Sequence, residues 1–180
     1  MAKRPVFSRR EWLLLTAQLS AQTALSPSVE PHYWTLCEAA NQIRRRKISA
    51  EELTRLCLER VRQRDTLNAF ITVTAESALE QARSLDRDLK RGLIRGPLHG
   101  VPVALKDNID TAGLKTTAAA ELFANRVPTE DAEVARRIFQ AGAVSLGKLN
   151  LDEFAFAGTG TTGYFGPARN LESDIARTAA

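Results

Sequence analysis

Residues 96–108, GPLHGVPVALKDN, constrain the fold more than any other stretch of this chain. The glycines and prolines at its start predict a loop, and the apolar residues 101–105 that follow predict a buried strand. Because strand side chains alternate between two faces, Lys106 is expected on the face opposite the two valines. The residues after Lys106 return to turn composition. The stretch therefore predicts a lysine delivered at the end of a buried strand.

A lysine at the end of a strand has two interpretations. Most such lysines are solvated surface groups. A functional Lys106 would instead be desolvated, because burial disfavours the charged ammonium and lowers its pKa until the neutral amine can act as a base. The residues alone leave both interpretations open.

The rest of the chain predicts an α/β arrangement around this strand. Two further strands are predicted at residues 69–73 and 143–147 from apolar, β-branched runs. A helix between the second and third predicted strands is typical of a crossover unit in an α/β sheet. Ser49 and Glu52 form a capping-box pattern at a helix start. Apolar residues at helical spacing predict helices over residues 32–43, 50–63, 76–91 and 131–141.

Length and composition indicate a globular protein. The chain has 180 residues, 44% hydrophobic and 26% charged, which is enough for one domain with a core. The net charge is +4 and the pI is near 9.4. The basic excess lies largely in residues 44–64, where arginines alternate with glutamates as on a solvated helix face. No nucleic-acid partner is therefore predicted.

The cysteines and histidines predict no metal site. Cys37 and Cys57 are expected to be buried thiols in helices, and their spacing leaves open whether they are paired. His32 and His99 stand far apart in the sequence, with no Cys-x-x-Cys pattern near either. His99 could be considered as a general base, but its place in a Gly-Pro-rich turn favours contact with solvent or backbone.

The N-terminus resembles an export signal. Residues 8–15, SRREWLLL, carry paired arginines before an apolar stretch that is too short and too polar to span a membrane. We expect residues 1–30 to be a twin-arginine-type signal or a flexible N-terminus, and residues 31–180 to form the folded part. The protein would be periplasmic or exported if the signal is real, without a membrane anchor after processing, and cytoplasmic otherwise.

Three motifs in order carry a family resemblance. They are GVPVALKD at residues 100–107, GKLNLDEFA at residues 147–155 and FGPARN at residues 165–170. Together they resemble the amidase signature family, serine hydrolases that cleave carboxylic amides, over about residues 32–178. The resemblance implies an incomplete α/β fold: the N-terminal part of the amidase signature fold, with a mixed β-sheet core flanked by helices.

The resemblance also implies a mechanism. The family uses a nucleophilic serine, a second serine with a cis peptide bond and a neutral lysine, and Lys106 matches that lysine. Gly158 and Thr159 match a segment that lines the substrate cleft. Lys148 matches a structural lysine, although a surface lysine fits the sequence equally well. The implied substrate is a small-molecule amide, with no cofactor and no metal.

The two serines of the mechanism are expected elsewhere. The resemblance places the second serine in a GGSSGGS segment just beyond Arg177 and the nucleophile further on, whereas residues 177–180 read RTAA. Neither Ser145 nor Ser173 has flanking glycines that could substitute. The sequence therefore predicts the N-terminal portion of an amidase-type hydrolase, inactive by itself and of marginal stability. The oligomeric state is not predicted.

Other functions fit the sequence less well. Residues 158–163, GTGTTG, satisfy a dinucleotide-loop pattern, but no strand precedes them and no helix follows. A non-catalytic binding or assembly module that kept the helical front of the fold is one alternative. A second is a protein like the family's amidotransferase subunit, which acts on misacylated tRNA in the cytoplasm. The export-like N-terminus and the GTGTTG loop argue against the second.

Overall fold

The computed structural model describes residues 31–169. The chain divides into two units, Met1–Tyr33 and Trp34–Ala180. The described part of the first unit is a 3₁₀ turn, Pro31–Tyr33. The predicted export signal lies outside the described residues. None of the described helices is long and apolar enough to cross a membrane.

The predicted helices are all present in the second unit. The first helix begins later than predicted, because Thr35 caps it. The Thr35 hydroxyl accepts from the Glu38 amide at 3.2 Å, and the Glu38 carboxylate accepts from the Thr35 amide at 2.7 Å. The described α-helices are α1 (Leu36–Arg44), α2 (Ala50–Gln63), α3 (Ala75–Lys90) and α4 (Glu133–Gln140).

The start of α2 is held by two side chains. The Ser49 hydroxyl accepts from the Glu52 amide at 3.0 Å, which confirms the serine half of the predicted capping box. The Asp86 carboxylate, from α3, accepts from the amides of Ala50 at 2.8 Å and Glu51 at 3.0 Å. A negative charge at a helix N-terminus is favourable, so this contact also fixes α3 against α2.

Three strands form a mixed sheet in the described part of the chain. They are β1 (Phe70–Val73), β2 (Pro102–Lys106) and β3 (Val144–Leu149), with β3 in the centre. β3 pairs antiparallel with β1 and parallel with β2. The predicted crossover unit is confirmed, since α4 connects the two parallel strands.

The core lies where the helices pack on this sheet. Ala78, Ala82 and Leu85 of α3 pack against Val144 and Leu146 of β3. A second cluster joins the helices to the start of β2, and its buried members include Ile43, Leu53, Leu89 and Val101. Because β2 and β3 are parallel and anchored by this core, their C-terminal ends emerge side by side, with Lys106 paired to Leu149.

The cysteines differ from expectation. Both are free; Cys37 is exposed and Cys57 is half-buried. The prediction of a buried Cys37 is wrong because Ala39 and Ile43 form the buried side of α1, and a residue two positions before Ala39 lies on the other side of the helix. Cys57 packs beside the core, and burial raises the pKa of its thiol.

Candidate active site

Lys106 is the last residue of β2 and points away from the core. Leu105 is buried and Lys106 is exposed, as the predicted alternation requires. The Lys106 Nζ donates a hydrogen bond to the Asn150 carbonyl at 2.9 Å, just beyond the end of β3. The desolvation that a base would need is not seen, since Lys106 is exposed in the described part of the chain.

Lys106 opens onto a cleft of about 360 Å³. The cleft walls come from the ends of β2 and β3 and from the segment that follows them. Gly158, one of the two predicted substrate-binding residues, lines the cleft, and an added Cβ would meet nothing there within 4 Å. Thr159, the other, does not line the cleft; its amide and hydroxyl bind Asp152 instead.

A single carboxylate organises the loop of residues 158–163. Asp152 accepts hydrogen bonds from four successive backbone amides and from two threonine hydroxyls. The four amides belong to residues 159–162, at distances of 2.7 to 3.0 Å. These donors, Thr162 and Gly160 foremost, hold the pKa of the Asp152 carboxyl well below its usual range. The loop wall of the cleft therefore depends on an ionised Asp152.

We expect Asp152→Asn to make the chain less stable at neutral pH and to reduce its sensitivity to acid. A lowered folded-state pKa contributes stability that is present above the ordinary carboxyl pKa and is lost as the pH falls towards the folded value. The difference in melting temperature between the natural chain and Asp152→Asn should thus shrink from about pH 7 to about pH 3. A difference that stays constant over this range would show that the charge of Asp152 does not hold the loop.

Two asparagines join the family motifs to each other. The Asn150 side-chain amide donates to the carbonyls of Asn68 and Gly166, both at 3.0 Å. The Asn68 amide in turn donates to the carbonyls of Phe165 at 2.9 Å and Gly166 at 3.1 Å. Because the Asn150 carbonyl also accepts from Lys106, the three motifs of the sequence meet around this residue.

Left-handed backbone borders the same region. Ala118 and Ala119 both have φ of 52°, and Phe154 and Ala155 have φ of 53° and 57°. The carbonyls of the two alanines accept from the amides of Phe154 and Tyr164, each at 2.8 Å. Non-glycine residues adopt this conformation at an energetic cost, and such residues cluster at functional sites.

Lys148 is a buried charge behind this site. Its side chain is 0% exposed, so the interpretation as a surface lysine is wrong. Its Nζ donates to the Ile109 carbonyl, to Thr116 Oγ1 at 2.9 Å and to Thr111 Oγ1 at 3.2 Å. Desolvation lowers the pKa of its ammonium, and Asp107 opposes that effect from 4.0 Å.

Asp107 ties down the loop after Lys106. Its Oδ2 accepts from the Thr117 hydroxyl and from the Thr117 amide, the latter at 2.9 Å. Its Oδ1 has no hydrogen-bond partner among the described residues and faces Lys148.

His99 has a structural role. Its ring is buried, Nδ1 accepts from the Arg95 amide at 3.1 Å, and Nε2 lies 3.1 Å from the Leu85 carbonyl. Since Nδ1 accepts, Nε2 is the ring nitrogen that donates, to the Leu85 carbonyl. His99 does not line the cleft, and the expected contact with backbone is confirmed.

None of the described serines lines the cleft. Ser145 lies within β3, where its amide donates to the Gln81 side chain at 3.1 Å. Ser173 lies outside the described residues.

Comparison with known proteins decides the family. The family model described as Amidase matches residues 52–172. The chain belongs to the amidase signature family. Its fold is that of the family in part, with a small mixed sheet flanked by helices.

Three family relatives illustrate the match. A glutamyl-tRNA(Gln) amidotransferase subunit of Moorella thermoacetica is 46% identical over 143 residues, covering 79% of this chain and 29% of the relative. The native peptide amidase of Stenotrophomonas maltophilia has a TM-score of 0.70 at 33% identity, covering 80% and 30%. A bacterial aryl acylamidase has a TM-score of 0.69 at 25% identity, covering 77% and 29%.

The chain thus spans under a third of the length of these amidase relatives. Of the three site residues predicted from the sequence, Lys106 and Gly158 line the cleft and Thr159 does not. The sequence analysis missed the residues that hold the cleft together. Asp152 and Asn150 both lie in the motif of residues 147–155, and that motif was the available signal for them. Asn68 lies outside all three motifs, and no sequence pattern pointed to it.

Proposed function

We propose that this chain supplies the lysine base and one wall of an amide-hydrolysing site. Lys106 would take a proton, through a second serine, from the serine that attacks the amide carbonyl. The observation that carries the proposal is that Lys106, at 2.9 Å from the Asn150 carbonyl, opens onto the cleft that Gly158 also lines. The substrate would be a small-molecule carboxylic amide.

The lining of the cleft suits an acyl group. Gly158 presents no side chain, and leucine and alanine side chains contribute apolar surface. The Asp152 contacts fix the loop backbone, so the position of Gly158 is preorganised. The lining residues include Leu149, Leu151, Ala155, Ala157 and Ala168.

Two parts of the proposed site come from outside the described residues. One is the pair of serines, since no described serine lines the cleft. The other is a cover over Lys106, because its side chain is exposed in the described part of the chain and the proposed base would have to be shielded from water.

A chimera tests the proposal directly. Residues 31–169 would replace the matching segment of the Stenotrophomonas maltophilia peptide amidase, and hydrolysis of a simple aryl amide would be followed in the purified protein. We expect hydrolysis that requires Lys106. A chimera that melts cooperatively and hydrolyses the amide equally well without Lys106 would contradict the proposal.

A second candidate is the function of a glutamyl-tRNA(Gln) amidotransferase subunit. It is favoured by the 46% identity to the Moorella thermoacetica protein, higher than the 33% to the peptide amidase. The chain would then assemble with other subunits and act on glutamyl-tRNA, contrary to the expectation of no nucleic-acid partner. The same lysine would serve, because the chemistry at the amide is shared.

Cellular location and cofactor requirements separate the two candidates. Export remains a proposal that depends on residues 8–15, and an exported chain would not meet tRNA. Fusing residues 1–30 to a reporter that is active only after twin-arginine export tests this. Export would favour the hydrolase; retention of the reporter, together with glutamine- and ATP-dependent activity of a complex, would favour the amidotransferase.

A further inference from the structure

Among the described residues, Lys148 donates hydrogen bonds to one segment only, the one that follows Lys106. The three acceptors are the Ile109 carbonyl and the hydroxyls of Thr111 and Thr116. The surrounding residues bury this side chain completely, so its hydrogen bonds are made inside the protein.

Asp107 holds the two ends of the same segment together. It follows Lys106 directly, and its Oδ2 accepts from the Thr117 amide at 2.9 Å. Its Oδ1 has no hydrogen-bond partner within residues 31–169 and lies 4.0 Å from the Lys148 Nζ. Lys148 and Asp107 therefore both hold residues 107–117 in place through hydrogen bonds to that segment.

The buried pair of Lys148 and Asp107 lies next to Lys106 in the structure. Lys148 is paired with Leu105 across β2 and β3, one residue before Lys106. Two residues after Lys148, the Asn150 carbonyl accepts from the Lys106 Nζ at 2.9 Å. Both the residue that carries the amine and its hydrogen-bond acceptor are thus adjacent to the buried pair.

We propose that Lys148 is a positioning residue for Lys106, holding residues 107–117 so that the Lys106 amine stays on the Asn150 carbonyl at the cleft. This inference rests on the proposed function for its catalytic meaning. An apolar residue at position 148 would leave the three acceptors of Lys148 without their hydrogen bond and the Asp107 carboxylate without a counter-charge.

The test measures Lys106 itself and needs no turnover. In the full 180-residue chain, the rate at which each lysine is acetylated by acetic anhydride would be followed by mass spectrometry, with the exposed Lys47 as reference. Thr116→Val removes one acceptor of Lys148 and keeps both charges. Lys148→Met combined with Asp107→Asn removes both charges together and leaves no unpaired charge buried.

We expect both variants to release Lys106 and to raise its acetylation rate about fivefold, the factor that corresponds to one ordinary hydrogen bond. The matched control is Thr54→Val, which removes a buried hydroxyl that has no partner among the described residues and should leave the rate unchanged. Thermal melts identify any variant that has unfolded.

Folded Thr116→Val and double variants with a natural Lys106 rate would overturn the inference, even if their melting temperatures fall. Introduced into the chimera, the double variant should lower kcat with little change in KM, whereas a purely structural Lys148 predicts natural kcat in any folded variant. If Lys106→Met leaves the chimera active, the proposed function fails. The acetylation rates still test whether Lys148 positions Lys106, because they require no turnover.

Discussion

Replacing Lys106 with methionine is expected to lower the kcat/KM of the chimera for an aryl amide by on the order of a thousandfold, the contribution typical of a general base. Methionine has a similar length but cannot take a proton. The fold should survive, because Lys106 is exposed and its hydrogen bond to the Asn150 carbonyl costs about 1 kcal/mol to lose. Steady-state kinetics with a thermal melt of each protein measures both effects.

The matched control for this substitution is Lys115→Met. Lys115 is also exposed, and its Nζ likewise donates to a neutral oxygen, Asn125 Oδ1, at 3.2 Å. It does not line the cleft, so its replacement should leave kcat/KM unchanged. Equal losses in the two variants would point to a general effect of lysine removal and would contradict a specific role for Lys106.

Gly147→Ala is expected to detach β1 from the sheet. Gly147 is paired with Val73, and its φ of 134° lies in the region that favours glycine. A Cβ at this position would lie 2.0 Å from the Thr72 carbonyl oxygen and 3.0 Å from the Val73 Cα. Both obstacles are backbone atoms, so relief requires the strands to separate. The free energy of unfolding should fall by at least about 3 kcal/mol, from overpacking added to backbone strain.

Urea unfolding of the 180-residue chain measures this loss, with Gly113→Ala as the control. Gly113 also has a positive φ, of 71°, but a Cβ there would meet nothing within 4 Å. Gly113→Ala therefore measures the backbone strain alone, which should lower the free energy of unfolding by about 1 kcal/mol. Similar losses in both variants would mean that the contact between β1 and β3 is not as close as the structure places it.

The elements of this fold could be predicted because their causes are local. The four α-helices follow from apolar residues at helical spacing, and the three strands follow from short apolar runs between turn residues. The parallel pairing of β2 and β3 follows from the helix between them, since a crossover of that kind returns the chain in the same direction. The observed helix boundaries differ from the predicted ones by a few residues where a capping residue such as Thr35 sets the first residue of the helix.

The environment of a charged side chain could not be predicted in the same way. Lys106 ends β2 and Lys148 is the penultimate residue of β3, and for both the sequence left a solvated surface lysine as one of two interpretations. Lys106 is exposed, whereas residues 107–117 fold over Lys148 and bury it. Which of two similar lysines is buried depends on the path of a loop that has no periodic pattern.

The sequence by itself determined the resemblance to the family and the succession of helices and strands along the chain, because motifs and periodicity are properties of neighbouring residues. Only the tertiary structure decided that Asp152 holds the cleft loop, that Asn68 joins the motifs and that Lys148 is buried opposite Asp107. Each of these depends on partners brought together by the fold, and hydrogen bonds and desolvation act over distances in space rather than along the chain.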